Sequence, residues 1–191
     1  MWKAISGITN HRISTSIQLH NALHGFRAGR GTGTTTLEAN MVQQLITMRE
    51  TILHSILLDL RKAYDALDRY RCLDILAGYV VGPRMLHILQ TYWDRLHMAA
   101  ETGGHYSPIF QRHRGVTHGN PLLSTIFNVV VDDVIKKWVT VVGLPQEDIG
   151  QGLGESIQTL TVLFYADDGI VASLENARLQ GAFNVLTGLF D

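Results

Sequence analysis

The sequence predicts an α+β fold in which helices pack on an antiparallel sheet. Three observations carry that prediction. Helix-period and strand-period segments follow one another as helix, strand, helix, helix, strands, helix, hairpin, helix. Two apolar runs, TLTVLFY and GIVAS, flank Ala166-Asp167-Asp168 and read as a β-hairpin with carboxylates at its turn. A run from about Leu123 to Thr140 is apolar around most of a helical surface and reads as a buried helix.

Each element has its own signal. Residues 25–33, GFRAGRGTG, form a glycine-rich loop carrying Arg27 and Arg30. Leu37, Met41, Leu45 and Met48 then recur at helical spacing, which predicts an amphipathic helix over about 34–50. Thr34, Thr35 and Thr36 are suited to cap its start. Ile56-Leu57-Leu58 is a short apolar run ending at Asp59 and reads as a buried strand. A helix is expected over about 69–77, ended by Gly78. Gly82-Pro83 opens another, with Leu86, Leu89, Trp93 and Leu96 on one face. Residues 97–112 read as two strands around Gly103-Gly104. The loop RGVTHGNP leads into the long helix, and residues 143–155, GLPQEDIGQGLGE, have the character of a variable insertion. After the hairpin, Leu179, Phe183, Leu186 and Leu189 mark a last helix over 175–190. The chain stops inside that apolar pattern without an end signal, as a truncated reading frame would.

Composition narrows the class. Of 191 residues, 46% are hydrophobic and 17% charged, an ordinary globular balance that excludes disorder. One cysteine, Cys72, excludes a disulfide framework and a cysteine-rich zinc site within the chain, and fits reducing, intracellular conditions. It reads as a small buried apolar residue. No apolar run reaches about 18 residues, and the N-terminus lacks a signal-peptide core, so no membrane role is expected. The net charge of -1 gives no global support for nucleic-acid binding, so any such contact must come from local clusters such as Arg112, His113 and Arg114. The nine histidines are scattered without metal-ligand spacing. Asp132-Asp133 lies within the long helix, where the two side chains diverge, and reads as a surface face.

The chemistry concentrates at three aspartates. Adjacent carboxylates at a turn between apolar strands repel, and burial sharpens the repulsion. A divalent cation is the simplest offset, and magnesium takes few carboxylates while keeping water and phosphate oxygens. If the strand ending at Asp59 lies beside the hairpin, Asp59, Asp167 and Asp168 converge at one sheet edge. Such a cluster can hold two ions about 4 Å apart, one at the attacking and one at the leaving oxygen of a phosphoryl transfer. Taken alone, an Asp-Asp turn also suits solvated turn chemistry, so the argument rests on the combination.

Four motifs carry a family resemblance. FYADD, residues 164–168, matches the most diagnostic motif of reverse transcriptases. LLDLRKAYDALDR, residues 57–69, resembles their first palm motif, with the metal aspartate at Asp59. RGVTHGNPLLSTIFN, residues 114–128, resembles the second palm motif. HGFRAGRGTG, residues 24–33, is similar to a fingers motif of the non-LTR retrotransposon and group II intron branch. The four occur in the family's order over about residues 20–175.

The resemblance implies a right-hand polymerase, with partial fingers over 1–50, a palm over 51–191 and the thumb absent. It implies RNA-directed DNA synthesis on an RNA template, from a DNA or RNA primer and deoxynucleoside triphosphates. Two Mg2+ ions would be held by Asp59, Asp167 and Asp168, with Mn2+ as a substitute. Tyr64, five residues after Asp59, is the aromatic that would exclude a ribose 2′-hydroxyl. Arg27, Arg30, His118, Gly119 and Tyr165 complete the implied nucleotide-binding set, arginine forks on a glycine loop being suited to phosphate. Gly115, Gly119 and Pro121 shape the second motif.

The chain also departs from the family. His118 stands where a glutamine is usual, and Asn120 and Leu123-Ser124 differ as well. Two other readings therefore stand beside the polymerase: a catalytically inactive relic or nucleic-acid-binding fragment of the same fold, and an RNA-dependent RNA polymerase. Tyr64, and YADD rather than GDD, weigh against the second.

Overall fold

The apolar runs at 54–59, 161–165 and 168–173 pair into the expected antiparallel sheet. A computed structural model describes residues 2–48, 50–79, 81–116, 121–143 and 161–190. In chain order the elements are α1 (Trp2–Ser16), α2 (Thr32–Met48), β1 (His54–Asp59), α3 (Ala63–Ala66), α4 (Arg69–Gly78), α5 (Pro83–Asp94), β2 (His97–Met98), β3 (Glu101–Thr102), β4 (His105–Tyr106), β5 (Phe110–Gln111), α6 (Pro121–Val142), β6 (Thr161–Tyr165), β7 (Asp168–Ser173) and α7 (Asn176–Phe190). They form two compact units, Met1–Ile17 with Lys62–Ile126 and Gln18–Arg61 with Phe127–Asp191. The insertion expected at 143–155 lies, apart from Gly143, outside the described residues. No helix among the described residues is long and apolar enough to cross a membrane.

In the first unit, α4 starts where Asp68 caps it, its Oδ1 accepting from the amides of Tyr70 and Arg71 at 2.9 and 3.1 Å. Pro83 opens α5, which buries Leu89 and Trp93 as the spacing predicts. Gly103 and Gly104, at φ +58° and +81°, form a two-residue turn between β3 and β4, while β2 pairs with β5 outside it. Helix α1 carries no clear sequence signal. Its buried positions Ser6, Thr9 and Ile13 include two polar residues, and Ile8 is exposed.

In the second unit the strand order is β1-β7-β6. A bond between buried groups, Trp138 Nε1 to the Ala182 carbonyl at 2.7 Å, ties α6 to α7. Helix α6 is buried along most of its length, as its composition predicts. Three expectations change here. Strand β1 is not buried on both faces: it is an edge strand whose residues alternate in exposure, and Leu57 is 78% exposed. On α2, Leu37, Met41 and Met48 are exposed, and Ile46 is buried instead. Asp132 is not a surface residue: it is fully buried, paired with Lys136 Nζ at 2.6 Å, while its neighbour Asp133 pairs with Lys137.

Candidate active site

The register of the sheet sets the site. Asp59 lies directly opposite Asp168 in the β1–β7 ladder, and Asp168 lies opposite Tyr165 in the β6–β7 ladder. Directly paired residues of antiparallel strands share a face, so Asp59, Asp168 and Tyr165 form one row across three strands. Asp167 occupies the turn beside that row. Its carbonyl accepts from the Leu60 amide at 3.1 Å, which fastens the turn to the chain just past Asp59. Ala166 completes the turn with φ +57°, a left-handed conformation unusual for alanine. Gly169 follows because the Phe164 ring lies over it: a Cβ there would sit 2.6 Å from the ring.

Two like charges opposed across a ladder destabilise it unless a cation intervenes. Asp59 and Asp168 are exposed and Asp167 is half-buried. Among the described residues, no three His, Cys, Asp or Glu side chains are gathered closely enough to cage a metal. The arrangement does fit magnesium, which binds through one or two carboxylates and completes its shell with water and phosphate oxygens.

The free edge of β6 is covered by residues 22–25. The His24 amide donates to the Phe164 carbonyl at 2.8 Å and the Phe164 amide to the Ala22 carbonyl at 2.7 Å, a short parallel bridge. Gly25 then meets the turn, where a Cβ would come within 2.4 Å of the Ala166 nitrogen. The glycine motif and the aspartate turn are thus in direct contact.

Arg27 and Arg30 hold this segment together. Arg27 Nη1 donates to the carbonyls of His20 and Leu23 at 2.8 and 2.9 Å. Arg30 bonds both the carbonyl and the side chain of Asn21 and lies 3.1 Å from His24 Nε2. Tyr64 belongs to the first unit, in α3, where its carbonyl accepts from the Val116 amide at 3.0 Å. Gly115, at φ +73°, lies against the Asp65 backbone, which leaves no room for a side chain. Arg112, read from the sequence as part of a local basic cluster, is paired with Asp65. His118 and Gly119 lie outside the described residues.

Sequence reading missed Asn128 and Asp132. Each bonds the 20–25 segment from α6. Their signal was two polar residues four apart on the otherwise apolar buried side of the helix.

His20 and His24 give this segment a pH dependence. Burial holds both imidazoles below their ordinary value of 6.5, against the opposing pull of Asp132 on His20 and of Glu38 on His24. The unfolded chain therefore takes up these protons first as pH falls. The associated stability is complete above 6.5 and is lost as pH falls from there towards the folded values. Tm should hold steady above about pH 7 and decline below it, and the double variant His20→Asn, His24→Gln should flatten the decline. A parental profile in that variant would refute the assignment.

A family model described as reverse transcriptase (RNA-dependent DNA polymerase) matches residues 1–189. The chain belongs to the reverse transcriptase family. Comparison with curated proteins gives no match. Solved structures share the fold of this reverse transcriptase. Telomerase from Candida albicans in complex with a TWJ fragment of telomeric RNA superposes with TM-score 0.65 at 12% identity, over 97% of this chain and 32% of that one. Apo telomerase from Candida tropicalis, truncated from the C-terminal domain, gives 0.59 at 14%, over 95% and 35%. The chain thus spans about a third of the length of these telomerases.

Charge in this reverse transcriptase is segregated in a way the net value hides. The first unit holds nine Lys and Arg against five Asp and Glu, the second seven against twelve.

Proposed function

We propose that this chain is the catalytic core of an RNA-directed DNA polymerase that extends a primer on an RNA template by two-metal phosphoryl transfer. The observation that carries the reading is Asp59 opposite Asp168 at the end of the β1–β7 ladder, with Asp167 in the adjoining turn. In this reading Asp59, Asp167 and Asp168 hold the divalent ions, Mg2+ or Mn2+. Bound there, the ions would supply neutralisation of the charge that develops on the transferred phosphoryl group. The exposed row of carboxylates leaves room for phosphate oxygens to complete the shell.

The remaining roles follow the same reading. Tyr64 selects deoxynucleotides by excluding the 2′-hydroxyl. Arg27 and Arg30, whose guanidinium groups are partly engaged with loop carbonyls, shape the fingers loop beside Tyr165, and His118 and Gly119 are assigned to nucleotide binding by the motif resemblance alone. Residues 1–50 are fingers and 51–191 palm. The motif HGFRAGRGTG favours a non-LTR retrotransposon or group II intron origin. The basic first unit supports an RNA template and primer as partners.

Primer extension on an RNA template with deoxynucleotides and Mg2+ tests the reading. The parent should extend, and the double variant Asp167→Ala, Asp168→Ala should fall by about 10³-fold or more, the worth of several kcal/mol of transition-state stabilisation. Ribonucleotides should serve poorly in the parent and better in Tyr64→Ala. Lack of extension by the parent would replace the polymerase with an inactive fold of the same family.

A further inference from the structure

Helix α6 is apolar along its buried side except at two positions. Asn128 is 2% exposed and Asp132 is fully buried. Four residues apart, they share one side of the helix. Both reach the same short segment. Asn128 Nδ2 donates to the Gly25 carbonyl at 2.8 Å, and Asp132 Oδ1 accepts from the His20 amide at 2.5 Å. Burying an amide and a carboxylate is unfavourable unless each is paired, and apolar residues of the same volume would avoid that cost. Lys136 at 2.6 Å compensates the charge of Asp132 but does not explain why a carboxylate is there.

What the two side chains hold explains it. Among the described residues, the segment between His20 and Gly25 docks on β6 through two backbone hydrogen bonds, both to Phe164. So short a bridge specifies its register weakly. Asp132 tethers one end of the segment and Asn128 the other. The Asn128 tether acts at Gly25, where the segment touches Ala166 in the turn that carries Asp167. Arg27 closes the loop onto His20 and Leu23, so the tethered unit behaves as one piece.

We propose that Asn128 and Asp132 are positioning residues. They hold residues 20–25 in register against β6, and through the Gly25–Ala166 contact they fix the Asp167–Asp168 turn relative to Asp59. The catalytic side of this inference rests on the polymerase reading. The positioning itself does not.

The test uses the full chain with Asn128→Leu and Asp132→Leu, which keep volume and remove the hydrogen bond. Asp132→Asn keeps an acceptor for the His20 amide and serves as the conservative rescue. Asn128→Ser, too short to reach Gly25, replaces a leucine variant that does not fold. Amide hydrogen exchange at Leu60, whose N–H donates to the Asp167 carbonyl, reads the position of the turn without metal or substrate. Mn2+ affinity by electron paramagnetic resonance reads the carboxylates, with Asp167→Ala, Asp168→Ala as control. Leu60 exchange is expected to accelerate in the leucine variants while the β1–β7 ladder stays protected. Mn2+ affinity should fall about tenfold or more, the usual consequence of losing a group that orients a metal ligand. Asp132→Asn should recover both. Parental Leu60 protection in both leucine variants overturns the proposal, as does parental Mn2+ affinity where the aspartate control has lost it. If the control itself keeps its affinity, the polymerase reading fails, and Leu60 exchange alone decides the positioning.

Discussion

Gly25→Ala should destabilise the protein by about 3 kcal/mol, at the upper end of the range for one added carbon in a packed site. The methyl carbon would lie 2.4 Å from the Ala166 nitrogen, 3.1 Å from its Cα and 3.2 Å from the Tyr165 carbonyl carbon. All three are backbone atoms, so no side chain can swing aside. Either the turn moves or residues 22–25 retreat, and retreat breaks the two bonds to Phe164 and the bond from Asn128. The backbone conformation of Gly25 is open to other residues, so the penalty is purely steric. Gly29→Ala is the matched control: Gly29 has φ +75° and nothing within 4 Å, so only the left-handed backbone is penalised, by roughly 1–2 kcal/mol. Urea unfolding should separate the two variants. Primer extension should separate them further, because Gly25→Ala displaces the turn carrying Asp167, and a misplacement of about 1 Å typically costs about 10²-fold in rate. Equal unfolding midpoints for the two variants would show that the segment does not press on the turn.

That contact joins positions 141 residues apart in the chain, and it marks the limit of what the sequence makes legible. Local patterns read well. The hairpin at Ala166-Asp167 was visible because two apolar runs flank two carboxylates, and α6 because its apolar residues cover most of a helical surface. The pairing of Asp59 with Asp168 was legible only as a condition, since nothing in a strand names its neighbour. Where the pattern misled, polarity and burial had parted. Ser6 and Thr9 on the buried side of α1 hid a helix, and Leu37, Met41 and Met48 suggested a buried face on α2 where Ile46 is buried instead. Asp132 was misread beside Asp133 because adjacent aspartates on a helix normally mean solvent. A buried carboxylate is intelligible only once its donors, the His20 amide and Lys136, are in place.

Arg69 presents the same problem with the opposite charge. It is 5% exposed, and among the described residues no carboxylate forms an ion pair with it. Its Nε donates to the Gly115 carbonyl at 2.8 Å, and Nη1 to the carbonyls of Trp93, at 3.3 Å, and Arg112. Burial holds its pKa below the ordinary arginine value, and neighbouring Arg112 adds to that, while Tyr92 and Asp94 oppose it. One side chain thus satisfies carbonyls from the end of α5, the residue just past β5 and the start of the second motif. Two effects compete on its removal. Losing a buried charge removes a desolvation penalty, which alone favours an apolar replacement. Leaving the Gly115 and Arg112 carbonyls unpaired costs about 1–3 kcal/mol each where they stay buried, whereas the Trp93 carbonyl keeps the Leu96 amide at 3.3 Å. The carbonyls should win, because one charge is exchanged for two orphaned acceptors. Arg69→Met, which keeps most of the volume, is therefore expected to destabilise by roughly 3–5 kcal/mol, and Arg69→Lys, with one donor group in place of a planar fork, by nearly as much. Arg69→Ala should add a cavity term of about 1–2 kcal/mol. Urea unfolding of the three variants decides between the accounts. Near-parental stability in Arg69→Met would mean that the arginine serves as packing volume, and that water reaches the carbonyls of Arg112 and Gly115 once it is gone.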